Sequence, residues 1–317
     1  MTKSRAKDLL SHPALGEIDS VENVVVTPYS KVDRVTASGG IYYLKKTPAP
    51  LFIEAEILRK FRAMDSSFPL PELVAADADN LCFLTRACGE ETLRSLFAKR
   101  PDLSLLEQPV TAYKKMQKAA LPVIDEFIAL GVPDWRLSRL PELFKALVQN
   151  EEALRARGLD AKMCEELQAA EDIFFAVCAR IARYGIPDTV NHSDFQENNM
   201  VLDAVSGRTC IIDWGEVTVS HALWSCVGCF KKLCWRYKIS KESEEHGALL
   251  RLFMGGWGLE EGDMEEAFAC VSVIDWICYV FSLAELERNT GHPSPEWSAR
   301  IKMACASFLD EAGRIDV

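Results

Sequence analysis

Apolar and polar positions change their period along this chain. Residues 22 to 46 follow a short helical N-terminus and read as strands: ENVVVTPYS, KVDRVTAS, a Gly39-Gly40 turn signal, then IYYLKK with its aromatic and branched β-formers. Pro48 and Pro50 end the extended stretch. LFIEAEILRKFRAM then places apolar residues at Phe52, Ile53, Ile57, Leu58 and Phe61, the spacing of one helix face. PLPELVAAD and NLCFLTRA follow as two further strand-like runs. From Glu91 onward the period is helical over TLRSLFAKR, Thr111 to Leu130, Leu140 to Tyr184, Leu223 to Tyr237, Ala248 to Phe253, Met264 to Leu286 and Pro295 to Ala312. The order predicts an α+β fold. A small antiparallel sheet lobe with one helix, residues 1–88, joins a larger, mainly helical lobe, residues 89–317, and Gly89 suits the joint.

One polar run interrupts the helical part: VNHSDFQENNMVLD, residues 190 to 203. Beyond it, MVL, a turn from Asp203 to Gly207 and TCIID read as a β-hairpin. The residue entering the first strand of an antiparallel hairpin lies beside the residue leaving the second, which sets Asn199 next to Asp213. Local rules therefore gather a loop carboxylate at Asp194, an amide oxygen at Asn199 and a second carboxylate at Asp213. Carboxylate and carboxamide oxygens are hard ligands suited to Mg²⁺ held with nucleotide phosphates, and the remaining carboxylate is left for a substrate hydroxyl. A single loop Asp or Asn is usually a turn or cap residue; the joint spacing is what carries the chemistry.

The totals narrow the setting. With 317 residues, 49% hydrophobic and 26% charged, the chain can bury an ordinary core in one large domain or two lobes. A net charge of -11 disfavours nucleic acid as a partner, because phosphate neutralisation needs Lys and Arg. No run reads as approaching the roughly 18 apolar residues of a membrane helix, and the N-terminus lacks a signal-peptide apolar stretch, so a cytoplasmic protein with no membrane partner is expected. The 11 cysteines suit reduced, buried thiols. Cys226, Cys229 and Cys234 begin with a CxxC spacing, but no fourth zinc ligand stands nearby and LWSCVGCFKKLCW has helical apolar spacing, which favours a core helix.

HSDFQENN, followed fourteen residues after Asn199 by IIDWGE, resembles the catalytic and metal loops of the aminoglycoside phosphotransferase and choline kinase-like families, relatives of the protein kinases. The likeness extends into VTVSHALWS and, in the N-terminal part, into YYLKK and FIEAEILRKF. It implies a protein kinase-like two-lobe fold and ATP- and Mg²⁺-dependent transfer of the γ-phosphate to a hydroxyl of a small molecule. Carried over by position, Asp194 would be the catalytic base or orienting carboxylate, and Asn199, rather than Asn198, would bind Mg²⁺ with Asp213. Lys45 would contact the α- and β-phosphates and pair with Glu54, the rivals being Lys46 and Glu56. His192 would brace the loop, and backbone groups of Thr85, Arg86 and Ala87 would meet adenine. Ser193 stands where the family more often has Gly, and TPYSKVDR lacks the glycines of a protein-kinase phosphate loop. Asp275, Glu285 and Glu287 are candidates for amino groups of an acceptor, against the alternative of a solvated helix face. The competing class is a pseudokinase-like scaffold that binds nucleotide without turnover.

Overall fold

A computed structural model describes residues 9–99, 101–291 and 294–315. The expected N-terminal helix falls mostly on residues 1–8, outside the described ones, and turns lead from residue 10 into the first strand. In chain order the strands are β1 (Ile18–Thr27), β2 (Ser30–Ala37), β3 (Gly40–Lys46), β4 (Leu73–Asp77), β5 (Cys82–Arg86), β6 (Glu91–Thr92), β7 (Asp134–Trp135), β8 (Asp188–His192), β9 (Met200–Leu202), β10 (Thr209–Ile211) and β11 (Val217–His221). The helices are α1 (Ile53–Met64), α2 (Leu93–Lys99), α3 (Glu107–Ala120), α4 (Ile124–Ala129), α5 (Leu140–Gln149), α6 (Glu151–Ala156), α7 (Ala161–Ala169), α8 (Glu171–Ala182), α9 (Trp224–Tyr237), α10 (Glu244–Met254), α11 (Met264–Thr290) and α12 (Pro295–Ala312). The described residues fall into two compact units, one lying within 1–116 and 196–216, the other within 117–195 and 217–317.

The first unit carries an antiparallel five-stranded sheet in the order β1-β2-β3-β5-β4. One face packs Val35, Tyr42, Leu44 and Leu84 with Leu9 and Leu15. α1 buries Ala55, Ile57, Leu58 and Phe61 at helical spacing. Phe61 reaches Trp214 at 5.2 Å between ring centroids, with Tyr113 at 6.2 Å. Trp214 is fully buried, so these rings anchor the chain just after Asp213. A second sheet, β10-β9-β6, holds the hairpin read from the sequence, with Met200 opposite Ile211. Its β6 strand is an addition that sequence pattern did not show.

The second unit is helical around one small sheet, β7-β11-β8, in which β11 runs parallel to β7 and antiparallel to β8. Phe144, Phe174 and Phe308 pack at 4.4 to 5.9 Å between centroids, the first two stacked and Phe308 tilted or edge-on to them, and tie α5, α8 and α12 together. The stretch Glu261–Thr290, mostly α11, is long and apolar enough to cross a membrane by composition, its most apolar 18-residue window having mean hydropathy 1.9, and this corrects the expectation that no such run exists. A single charge, Asp275, divides the run and hides it from a scan for uninterrupted apolar residues. α11 packs against α8, α9 and α12 and buries 56% of its most apolar window there.

Candidate active site

β3 alternates its faces, burying Tyr42 and Leu44 on one side and turning Lys45 to the other, while Lys46 is exposed. The Lys45 ammonium donates to Glu54 Oε2 at 2.6 Å and forms a second ion pair with Asp213. Glu54 is buried on α1 and also accepts the Trp214 backbone N–H. Glu56 points elsewhere, to Arg59. Burial works against the Lys45 charge, and the Asp213 and Glu54 carboxylates more than offset it, so its pKa stands above the ordinary lysine value. Burial also pushes the Glu54 carboxyl upward, with Lys45 opposing. Asp213 has φ +67°, a left-handed backbone that a non-glycine residue holds only when its surroundings enforce it. Buried Trp214 directly after it, with its indole N–H on the Ile211 carbonyl at 2.9 Å, supplies that constraint.

Asn199 closes a short turn, Glu197–Asn199, and is buried. Its carbonyl accepts the Ile212 N–H at 2.9 Å. The hairpin register therefore sets Asn199 opposite Ile212, with Asp213 the next residue along. Arg94 fastens this turn from α2, with Nε at 3.0 Å from Glu197 Oε1 and Nη2 at 2.6 Å from Gln196 Oε1. Glu197 is fully buried, so the ion pair compensates a desolvated carboxylate.

Asp194 belongs to the second unit, in the loop after β8. Its N–H donates to His192 Nδ1 at 3.2 Å, and the His192 carbonyl accepts the Ser225 hydroxyl at 2.9 Å. A buried polar network stands behind the strand: Gln117 Nε2 donates to Asn191 Oδ1 at 3.1 Å, and Asn191 Nδ2 donates to the Ser220 and His221 carbonyls at 2.9 and 3.2 Å. On the outer side, Lys232 of α9 lies 3.5 Å from Asp194 Oδ1. Thr85 and Arg86 end β5, and Ala87 follows it. The Arg86 and Ala87 N–H groups donate to the Glu72 and Ile41 carbonyls, both at 2.9 Å, and are used up within the sheet.

Sequence reasoning missed Arg94, Glu197, Lys232, Asn191, Gln117 and Ser225. Cys226 and Cys229 lie on the buried face of α9, Cys234 is half-buried, and none of the 11 cysteines forms a disulfide. The three α11 carboxylates read as acceptor candidates each meet a cation: Asp275 meets Lys231 at 3.2 Å, Glu287 meets Arg157 at 2.6 Å, and Glu285 meets Arg288.

The sequence model of the phosphotransferase enzyme family matches residues 30–240. The chain belongs to the phosphotransferase enzyme family. No curated protein sequence matches this phosphotransferase. Its fold is that of kinase-like solved structures. A choline kinase from Streptococcus pneumoniae superposes with TM-score 0.63 at 12% identity, over 97% of this chain and 99% of that one. An ethanolamine kinase from Plasmodium vivax gives TM-score 0.63 at 13% identity, over 96% and 86%. The GDP complex of an aminoglycoside 2'-phosphotransferase gives 0.62 at 14%, over 97% and 96%. The protein is thus a phosphotransferase with a protein kinase-like α+β fold.

Proposed function

We propose that this phosphotransferase moves the γ-phosphoryl group of ATP to a hydroxyl of a small cytoplasmic metabolite, with Asp194 as the base. The observation that carries the reading is the Lys45 ammonium held between Glu54 and Asp213. Such a lysine is fixed in place and kept charged, as a residue that neutralises nucleotide phosphates must be. Asn199 supplies an amide oxygen and Asp213 a carboxylate from neighbouring positions of one hairpin, a hard-oxygen donor set that fits Mg²⁺. When bound, the ion would neutralise phosphate charge. The backbone of Thr85, Arg86 and Ala87 is assigned to adenine, with the Arg86 and Ala87 N–H groups taken within the sheet.

Asp194 accepts the hydrogen bond of the acceptor hydroxyl. As the acceptor oxygen bonds to the γ-phosphorus, the bond from that phosphorus to the β,γ-bridging oxygen breaks and ADP leaves. The hydroxyl proton passes to the Asp194 carboxylate. His192 and the Asn191 network fix the loop from behind, so the carboxylate is pre-positioned. The names of the similar structures, choline, ethanolamine and aminoglycoside kinases, support a small hydroxylated acceptor. The test is ADP formation from Mg·ATP with a panel of hydroxylated metabolites, in the wild type and in Asp194→Asn. Nucleotide binding without ADP formation across the panel would favour the inactive scaffold instead.

A further inference from the structure

The charges around Asp194 within its own unit bear on what the acceptor carries. α9 presents two consecutive lysines that differ in their surroundings. Lys231 is enclosed: 3.2 Å from Asp275, 3.7 Å from Glu311, 3.3 Å from the Ser272 carbonyl and 4.0 Å from the centroid of the Trp276 ring. Both Asp275 oxygens are engaged in turn, the other accepting the Trp224 indole N–H at 2.9 Å. Glu285 and Glu287 are paired with Arg288 and Arg157. The α11 carboxylates that would suit a cationic acceptor are therefore already compensated.

Lys232 is different. Its side chain remains 37% exposed and, among the described residues, its one ion pair is to Asp194, at a loose 3.5 Å. An ammonium has three N–H donors, and a contact of that length leaves capacity for a tighter one. Burial works against this charge, but Asp194 and Asp275 more than offset it, so the lysine stays protonated. An amine entering beside Asp194 would meet a fixed positive charge; an anion would meet its partner.

We propose that the acceptor carries a carboxylate or phosphate close to the hydroxyl it presents, and that Lys232 binds this anion on the donors Asp194 does not take. The proposal rests on the reading of Asp194 as the base that receives the hydroxyl. It makes Lys232 a determinant of specificity, selecting hydroxy acids or phosphorylated alcohols over amines.

A matched three-carbon set tests it: D-glycerate, glycerol 3-phosphate, glycerol and 3-amino-1,2-propanediol, with choline and kanamycin added, each assayed for ADP formation with Mg·ATP. The wild type should prefer an anionic member over glycerol by roughly 10-fold or more in kcat/KM, and the first two probes separate carboxylate from phosphate. Lys232→Gln should bring that ratio close to one mainly through KM, Lys232→Glu should turn it toward the amine, and Lys232→Arg should keep it. The ratio is the readout because a merely structural defect would lower all acceptors together. A wild-type preference for choline, kanamycin or the aminodiol, or a ratio unchanged in Lys232→Gln, overturns the proposal. Should no probe be phosphorylated, calorimetry with D-glycerate and glycerol 3-phosphate decides: binding lost in Lys232→Gln supports the anion site, and no binding to the wild type sinks it. Anion binding without ADP formation from any acceptor would instead count against the kinase reading.

Discussion

At the residue scale, Lys45 shows what a one-dimensional reading can reach. The family resemblance chose it over Lys46, with strand alternation setting the two on opposite faces, and the structure gives Lys45 the two carboxylates while Lys46 is exposed. Lys232 was not legible, because it meets Asp194 across 38 positions of sequence from a helix whose pattern speaks only of a cysteine-rich core. The two carboxylates of the proposed chemistry should separate on mutation. Asp194→Asn keeps the shape and removes the proton acceptor, so ADP formation should fall by about 10²–10⁴-fold, the usual range for a general base, while equilibrium dialysis finds nucleotide affinity nearly unchanged. Asp213→Ala leaves Lys45 its bond to Glu54 but removes a donor from the phosphate end, so it should weaken Mg·ATP binding in the same assay. Wild-type turnover in Asp194→Asn would remove the base from this residue.

At the element scale, the strands of the five-stranded sheet and of the β9–β10 hairpin were readable, and β6, β7 and β11 were not. β1, β2, β3 and the β9–β10 hairpin announce themselves through alternation and turn residues. β11 is buried along its whole length, so it lacks the alternation of a half-exposed strand, and its partner β7 lies more than eighty residues earlier. β6 spans two residues, too short for any period, yet it ties the start of α2 to the hairpin that carries Asn199. Gly89 is what allows this approach. A Cβ there would lie 2.6 Å from the Leu202 carbonyl oxygen and 2.7 Å from its carbon, both backbone atoms that cannot swing aside. Gly89→Ala should therefore cost about 1–3 kcal/mol, the usual range for overpacking, and show faster amide exchange in β6 and β9 than in β2 and β3. Uniform protection across both sheets in the variant would show that the contact is not needed.

At the scale of the whole molecule, an acidic chain is stabilised in part by one buried, uncharged histidine. His221 ends β11 with no exposure, and burial alone lowers its pKa to about 4, below the ordinary value of 6.5. Its Nδ1 accepts the Leu223 N–H at 3.4 Å, a bond that requires that nitrogen unprotonated. The unfolded chain takes up a proton at this residue as pH falls below about 6.5, and the folded chain does not until about 4. The stability it contributes is thus complete above the first value and is lost progressively down to the second, to a limit of about 3 kcal/mol. Asp188 lies opposite His221 in the strand register, and burial raises its pKa despite the Leu137 N–H and Arg136, so it binds protons more readily when folded and acts with the opposite sign. Comparing slopes isolates the histidine. Urea unfolding followed by tryptophan fluorescence from pH 4.5 to 7 should give a wild-type curve that loses stability toward acid and a His221→Asn curve that is flatter over that window, though lower at pH 7 because a smaller side chain leaves a gap. Parallel curves would mean that His221 is already protonated in the fold, with the Asp188 carboxylate opposite it in the register as its counter-charge, and the histidine would then have no part in the loss of stability toward acid.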